Sequence, residues 1–179
     1  GTASDNGTIN SLEIKFGADP FIAVNRLNPS PLPQAAVNWW HDSPAYDMSA
    51  APDGNLTIQV RATDNDANPT TKSVNVRVDN TPPTVDITSH SNNDTVSGNP
   101  VTFVGTASDV VWDVVDVELF LNGSSIGHAN TGDQFANWTL DFDSTAHADG
   151  TYILSAVAMD ESGKTAQETF NIVIDNNPD

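Results

Sequence analysis

One ordered set of short motifs runs through this chain twice. Gly1-Thr2-Ala3-Ser4-Asp5 returns as Gly105-Thr106-Ala107-Ser108-Asp109, and Asn38-Trp39 returns as Asn137-Trp138. Asp53-Gly54 returns as Asp149-Gly150, Ala62-Thr63-Asp64 as Ala158-Met159-Asp160, and Val78-Asp79-Asn80 as Ile174-Asp175-Asn176. From Asp53 to the end of the first copy the two align without a gap, at the constant offset of 96 that separates Asp53 from Asp149. Self-similarity at a fixed period means one structural unit built twice. At this length per copy the unit is a whole domain, so the 179 residues divide into domains at 1–80 and 81–179.

Each copy is long enough to bury a core without covalent staples, which suits a chain with no cysteine. That absence removes disulfides, thiolate metal sites and thiol nucleophiles together. No run of about 18 apolar residues is present, so membrane insertion by a helix is not expected. No charged-then-apolar leader stands at Gly1, and any export signal is expected outside this sequence. The charge is lopsided, with 24 acids against 6 bases and a formal net charge of −18. Of the acids, 20 are Asp and 4 are Glu. Asp favours turns and loop ends where Glu would favour helices, so the skew argues for many loops with oxygen-rich ends. The negative field repels nucleic acid and anionic lipid, and suits a saline or calcium-containing exterior that screens it. Simple solubility of a surface protein accounts for the same charge with no bound ion.

Strand signals dominate and helical periodicity is absent. Thr102-Phe103-Val104, Val115 to Leu121, Trp138 to Phe142, Tyr152 to Ala158 and Thr169 to Ile174 are short, β-branched or aromatic, and partly alternating. Leu12 to Phe16, Asn55 to Ala62 and Ser73 to Val78 read the same way in the first copy. Asn122-Gly123 between two such runs predicts a hairpin turn with positive φ. About seven short strands in some 95 residues is the pattern of an antiparallel sandwich.

The linker Val78-Asp79-Asn80-Thr81-Pro82-Pro83-Thr84-Val85, together with Gly105 to Asp109, Val117 to Gly123, Asp149-Gly150-Thr151-Tyr152 and Ala158 to Gly163, resembles the bacterial immunoglobulin-like domains strung along secreted and cell-surface proteins. The resemblance covers nearly all of 82–178 and the first copy more loosely. It implies tandem immunoglobulin-like antiparallel β-sandwiches. In the second copy it places strand A near Val85–Thr88, B near Val101–Thr106, C near Val115–Leu121 and a short strand near Ser125–Ala129. E then falls near Phe135–Phe142, F near Thr151–Met159 and G near Thr165–Ile174.

The first copy departs from this pattern twice. It carries about eight extra residues at 26–33, where Pro29, Pro31 and Pro33 predict an extended surface loop. It also begins at the motif that ends strand B in the second copy, so strands A and B have no counterpart. The sequence is expected to be part of a longer repeat protein; strand donation from another chain is the other account.

The equivalent Trp39 and Trp138 are expected to fill the two cores. Trp40 points to the opposite strand face, and the Pro-rich loop is expected to fold over it. The alternative is an exposed stacking platform in which Trp40, Tyr46 and Trp112 bind a glycan. The resemblance also implies that the B–C and F–G loops share one pole of the sandwich. Asp109, Asp113, Asp160 and Glu161 would then cluster where Asp79 and Asn80 enter, with Asp53 nearby, and could hold Ca²⁺ at the junction. Asp5, Asp64 and Asp66 form a weaker counterpart in the first copy, and capping of turns is the ordinary role of all these residues. Catalysis is not expected. The four histidines lack metal-ligand spacing, and no Gly-x-Ser-x-Gly elbow occurs. The sequence thus points to a structural or adhesive module of a secreted or surface prokaryotic protein, acting as spacer, stalk or filament unit. Its expected partners are neighbouring copies or further repeats. A carbohydrate-binding accessory of a secreted hydrolase is the alternative.

Overall fold

The computed structural model describes residues 1–42 and 46–177. The chain divides into two compact units, Gly1–Asn80 and Thr81–Asp179. The first contains β1 (Thr2–Phe16), β2 (Ile22–Ala23), β3 (Arg26–Asn28), β4 (Gln34–Trp40), β5 (Gly54–Asp64) and β6 (Pro69–Val78). The second contains β7 (Thr84–Ile87), β8 (Asp94–Val96), β9 (Val101–Ser108), β10 (Val114–Leu121) and β11 (Ser124–His128). It continues with β12 (Asn130–Thr131), β13 (Trp138–Phe142), β14 (Gly150–Asp160) and β15 (Thr165–Ile174).

The second unit is a two-sheet sandwich, with orders β11-β10-β14-β15-β8 and β12-β13-β9-β7. Its sequence builds this by strict alternation. Along β9, Val101, Phe103, Gly105 and Ala107 are buried while Thr102, Thr106 and Ser108 face out. Along β13, Trp138, Leu140 and Phe142 are buried while Thr139 and Asp141 are exposed. A period of two puts one face in the core and one in water, which fixes the register. Phe103, Val117, Leu119, Trp138, Leu154, Ala156, Ala158 and Ile172 meet in one core with no solvent exposure. The Asn122-Gly123 turn forms with φ of 49° and 80°, as the dipeptide predicts.

Three features lay outside the sequence reading. The strand expected from Phe135 begins only at Trp138, because Gln134 and Phe135 adopt left-handed backbone (φ 58° and 66°). The three-residue β8 was not anticipated; it runs parallel to β15, pairing Asp94, Thr95 and Val96 with Ile172, Val173 and Ile174. Single 3₁₀ turns occur at Met48–Ala50 and Ser144–Ala146, each started by an Asp whose side chain accepts a backbone N–H two residues on. One turn is too short to give a helical period.

A polar clasp closes each unit at the matching place. In the second, Asn176 donates through Nδ2 to the carbonyls of Ser144 (2.9 Å) and His147 (3.3 Å), and its N–H donates to Asp149 Oδ1 (2.8 Å). In the first, Asn80 donates through Nδ2 to the carbonyls of Met48 and Ala51 (2.9 Å each), and its N–H donates to Asp53 Oδ1 (2.6 Å). Gly54 and Gly150, after the clasp Asp residues, take φ of 115° and 152°, which requires glycine.

The first unit has one sheet path, β3-β4-β1-β5-β6, with β2 also on β1. β1 is the end of strand B run continuously into strand C. Its Thr2–Ser4 end pairs with β4 and its Ile9–Phe16 end with β5, with a register shift between Ser4 and Ile9. Residues 26–33 are not all loop as expected. Arg26, Leu27 and Asn28 pair with Trp40, Trp39 and Asn38 as an edge strand, and the irregular part starts at Pro29. The prolines stop the strand without preventing it, since an edge strand needs its amides on one side only.

Candidate functional site

The loop pole of the second unit holds its most unusual chemistry. Asp109 follows β9 and Asp160 ends β14. Asp109 Oδ1 accepts the N–H groups of Val111 (2.7 Å) and Trp112 (2.8 Å), which tightens the turn. Asp160 Oδ1 accepts the N–H of Lys164 (3.0 Å) and the hydroxyl of Ser162 (2.7 Å). The second oxygen of each carboxylate is buried and receives no hydrogen bond. Carboxylate oxygens of the two residues lie within 4.8 Å of one another, and Asp160 is 1% exposed. Two carboxylate oxygens shut off from water so close together, each without a donor of its own, are costly unless a cation joins them.

The first unit shows how the same position looks when satisfied. Asp64, the counterpart of Asp160, accepts from the N–H of Asp66 and Asn68 on one oxygen and from Asn68 Nδ2 (2.9 Å) on the other. These bonds, chiefly from Asn68, hold its carboxyl below the ordinary carboxylate range. In the second unit Lys164 replaces Asn68, and its Nζ donates to Ser162 Oγ instead. One substitution therefore releases a carboxylate oxygen. Asp5 Oδ1 accepts the N–H of Gly7 (2.7 Å), and Asp66 is exposed, so the weaker trio serves turns.

Asp113 is exposed and accepts from Gln134 Nε2 (2.7 Å), while its carbonyl accepts the N–H of Glu161. Glu161 is exposed and Asp79 is half-buried directly after β6. Asp53 and Asn80 form the clasp of the first unit, a role that Asp149 and Asn176 repeat in the second.

Among the aromatic candidates, Trp40 is 44% exposed. The expectation that the Pro-rich segment folds over it is therefore corrected. Pairing of Arg26 with Trp40 puts β3 beside β4 in the sheet plane, not across its face. Tyr46 is half-buried, with its ring stacked on Phe16 at 4.5 Å, and Trp112 is half-buried. The rest of the aromatic segment, Ser43 to Ala45, lies outside the described residues. Trp39 is half-buried, whereas Trp138 is fully buried.

A second cluster escaped the sequence reading. His128 Nδ1 lies 2.9 Å and 3.0 Å from the two Asp116 oxygens, and Nε2 lies 3.8 Å from Glu118 Oε1. Asp116 and Glu118 share the outer face of β10, and the β10–β11 hairpin sets Glu118 opposite His128. The hydrogen bond and charge of Asp116, with Glu118 adding, push the imidazole above its ordinary 6.5. A raised pKa favours the folded state at pH below the ordinary value, and this contribution fades as pH rises through the shifted one. An NMR titration is expected to place the His128 midpoint above 6.5. Asp116→Asn should bring it back toward that value, and an unshifted parent would remove the interaction.

The model described as "Bacterial Ig domain" matches residues 83–156, and "Bacterial Ig-like domain (group 3)" matches residues 41–118, across the division between the units. No curated protein matches. The fibronectin(III)-like modules of CbhA from Clostridium thermocellum are similar over 97% of this chain and 82% of theirs, at 18% identity and TM-score 0.47. An endo-beta-1,4-mannanase from Thermotoga petrophila is similar over 55% of this chain and 21% of its own, at 14% identity and TM-score 0.48. A tetra-tandem repeat from the extending region of a large adhesion protein is similar over 97% of this chain and 44% of its own, at 21% identity and TM-score 0.43.

Proposed function

Residues 41–156 of this chain belong to the bacterial immunoglobulin-like domain families, and from that premise we propose that the chain is a mechanical spacer module of a secreted or surface protein. The observation that carries this reading is the parallel pairing of β8 with β15. β8 lies near the start of the second unit and β15 at its end, so tension applied along the chain pulls the two in opposite directions. Because they are parallel, that pull shears the ladder and loads its hydrogen bonds together. An antiparallel terminal pair would instead unzip one bond at a time. The N–H of Asn93 on the Asn171 carbonyl (2.7 Å) and of Asp175 on the Val96 carbonyl (3.1 Å) extend the clamp at both ends. No such strand lies on β6, which pairs with β5 alone among the described residues.

Pulling single molecules by their ends tests this. The second unit is expected to unfold at the higher force, in one event releasing about 3.3–3.6 Å of contour per residue. Thr95→Pro removes an amide from β8 and should lower that force. Equal, low forces for both units, or a Thr95→Pro variant as strong as the parent, would overturn the mechanical role.

Calcium is the finer part of the reading. The unpartnered oxygens of Asp109 and Asp160 support a hard cation, which takes six to eight oxygens and tolerates carbonyls and water among them. Binding there would tie the turn after β9 to the end of β14 and stiffen the loop pole. Exposed Trp40 supports the alternative of a glycan contact. With Tyr46 engaged by Phe16, that contact has one ring in place of a platform. Retention of the chain by polysaccharides in a native gel, abolished by Trp40→Ala, would favour this alternative over the spacer.

A further inference from the structure

We propose that His128 and Glu118, with Asp116 behind the imidazole, form a binding site for a divalent transition-metal ion of the zinc type on the outer face of the second unit. Alternation along β10 builds it. Val117 and Leu119 enter the core with no exposure, so Asp116 and Glu118 share the opposite face of the strand. The register of β10 with β11 then sets His128 directly across from Glu118. The His128 side chain is 64% exposed, against 29% for Asp116 and 28% for Glu118, so an ion reaches the imidazole from solvent.

The setting of the ring separates this cluster from an ordinary ion pair. Both Asp116 oxygens lie on Nδ1, at 2.9 Å and 3.0 Å. In the neutral ring this holds the proton on Nδ1 and leaves the Nε2 lone pair free to ligate. Glu118 Oε1 lies 3.8 Å from Nε2, beyond hydrogen-bond reach. Two ligands that each hold zinc at about 2.0–2.2 Å can stand up to about 4 Å apart, so one ion fits between Nε2 and Oε1. A carboxylate on the other ring nitrogen is the usual support of a metal-bound histidine, since it sets the tautomer and raises the basicity of the ligand. Imidazole with carboxylate suits zinc, copper or nickel, whereas calcium takes oxygen. The three other histidines instead lie against rings: His41 by Phe16 (6.2 Å), His90 by Phe103 (5.0 Å) and His147 by Phe142 (5.1 Å).

The position gives the ion a role. β11 stands at the edge of its sheet, and its ladder to β10 is interrupted by a register shift between Leu119 and Phe120. The Glu118–His128 pair ends that ladder on the side away from the Asn122-Gly123 turn. An ion there closes the hairpin at its open end. Sequence spacing hid the site because its ligands come from two strands.

Zinc titrated into the full chain at about pH 8, where a ligating imidazole is neutral, tests this. Long-range ¹H–¹⁵N NMR should show the His128 Nε2 resonance moving with zinc while Nδ1 keeps its proton. Glu118→Gln should weaken the binding read from that resonance at least about tenfold, by removing one of its two ligands. Asp116→Ala should weaken it about 10–100-fold and release the Nδ1–H tautomer in the zinc-free protein. With zinc at ten times its dissociation constant, amides of β11 should exchange about tenfold more slowly, because openings that break the site become rarer by that factor. Asp160→Asn should leave the His128 response unchanged, which keeps this site apart from the calcium reading. Zinc uptake that leaves the His128 nitrogens unmoved, a response at Nδ1 in place of Nε2, or full affinity in Glu118→Gln overturns the proposal.

Discussion

Trp138→Ala is expected to destabilise the second unit by about 3–5 kcal/mol, the cost of a large aromatic lost from a tight core. Trp138 has no solvent exposure and sits at the centre of the sandwich. It pairs with Gly105 across β13 and β9, and the ring lies over that glycine. A Cβ on Gly105 would fall 2.1 Å from Trp138 Cζ2 and 2.2 Å from the Asp86 carbonyl oxygen. The second contact is backbone, held by the β7–β9 ladder, so the site cannot relax by a rotamer change. The glycine and the tryptophan therefore form one packing unit, which is why both recur in the first copy as Gly1 and Trp39. Indole Nε1 of Trp138 is buried without a partner, so Trp138→Phe gives back part of the loss by removing an orphan donor. Trp39→Ala should cost clearly less, because that ring is only half-buried. Guanidinium unfolding of the two variants, followed by far-UV circular dichroism, reads both effects. A Trp39→Ala loss as large as that of Trp138→Ala would show that the first core is as closed as the second.

Asp160→Asn is expected to reverse its effect with calcium. In chelator the variant should be more stable than the parent by about 1 kcal/mol, because an amide can donate to Asp109 Oδ2 where a carboxylate only repels it. With calcium at a hundredfold over its dissociation constant the parent should gain about 2.7 kcal/mol. The variant, with one anionic ligand fewer, should gain little and become the less stable of the two. Thermal unfolding in chelator and in calcium measures the crossing. If Asp160 served only its turn, through the bonds from Lys164 and Ser162, Asp160→Asn would move stability in the same direction under both conditions. The cation reading would then be lost. Converting Lys164 to Asn, as at position 68, gives an independent check: it should supply the donor that Asp64 has and weaken calcium binding.

The division into strands was legible because alternation of apolar and polar residues is a local property. Thr165–Ile174, read from the sequence as the last strand, is the observed β15 to the residue. The strand around Val115–Leu121 starts one residue earlier, at Val114. β8 was missed because three residues are too few to show a period, and Asp94-Thr95-Val96 has one apolar member. The expectation for Trp40 failed for a related reason. Three prolines mark where a strand must stop, but not that Arg26–Asn28 would pair beside Trp40 and leave its outer face open. At the loop pole, Asp109 and Asp160 stood out as acidic loop ends, yet so did Asp53, Asp113 and Asp64. What separates them is which oxygens find donors. That depends on Asn80, Gln134 and Asn68, each brought close by the turn geometry.

The sequence by itself determined the repeat, the strand-rich class and the apolar faces, since each follows from spacing along one segment. Only the tertiary structure decided the contacts that need two segments in register. The bulge between Leu119 and Phe120 brings Glu118 opposite His128. The approach of β14 to the turn after β9 brings together two turn-capping aspartates whose second oxygens are buried without donors. Hydrophobic period is written along the chain, whereas hydrogen-bond satisfaction is settled across it, where a shift of one residue changes every partner.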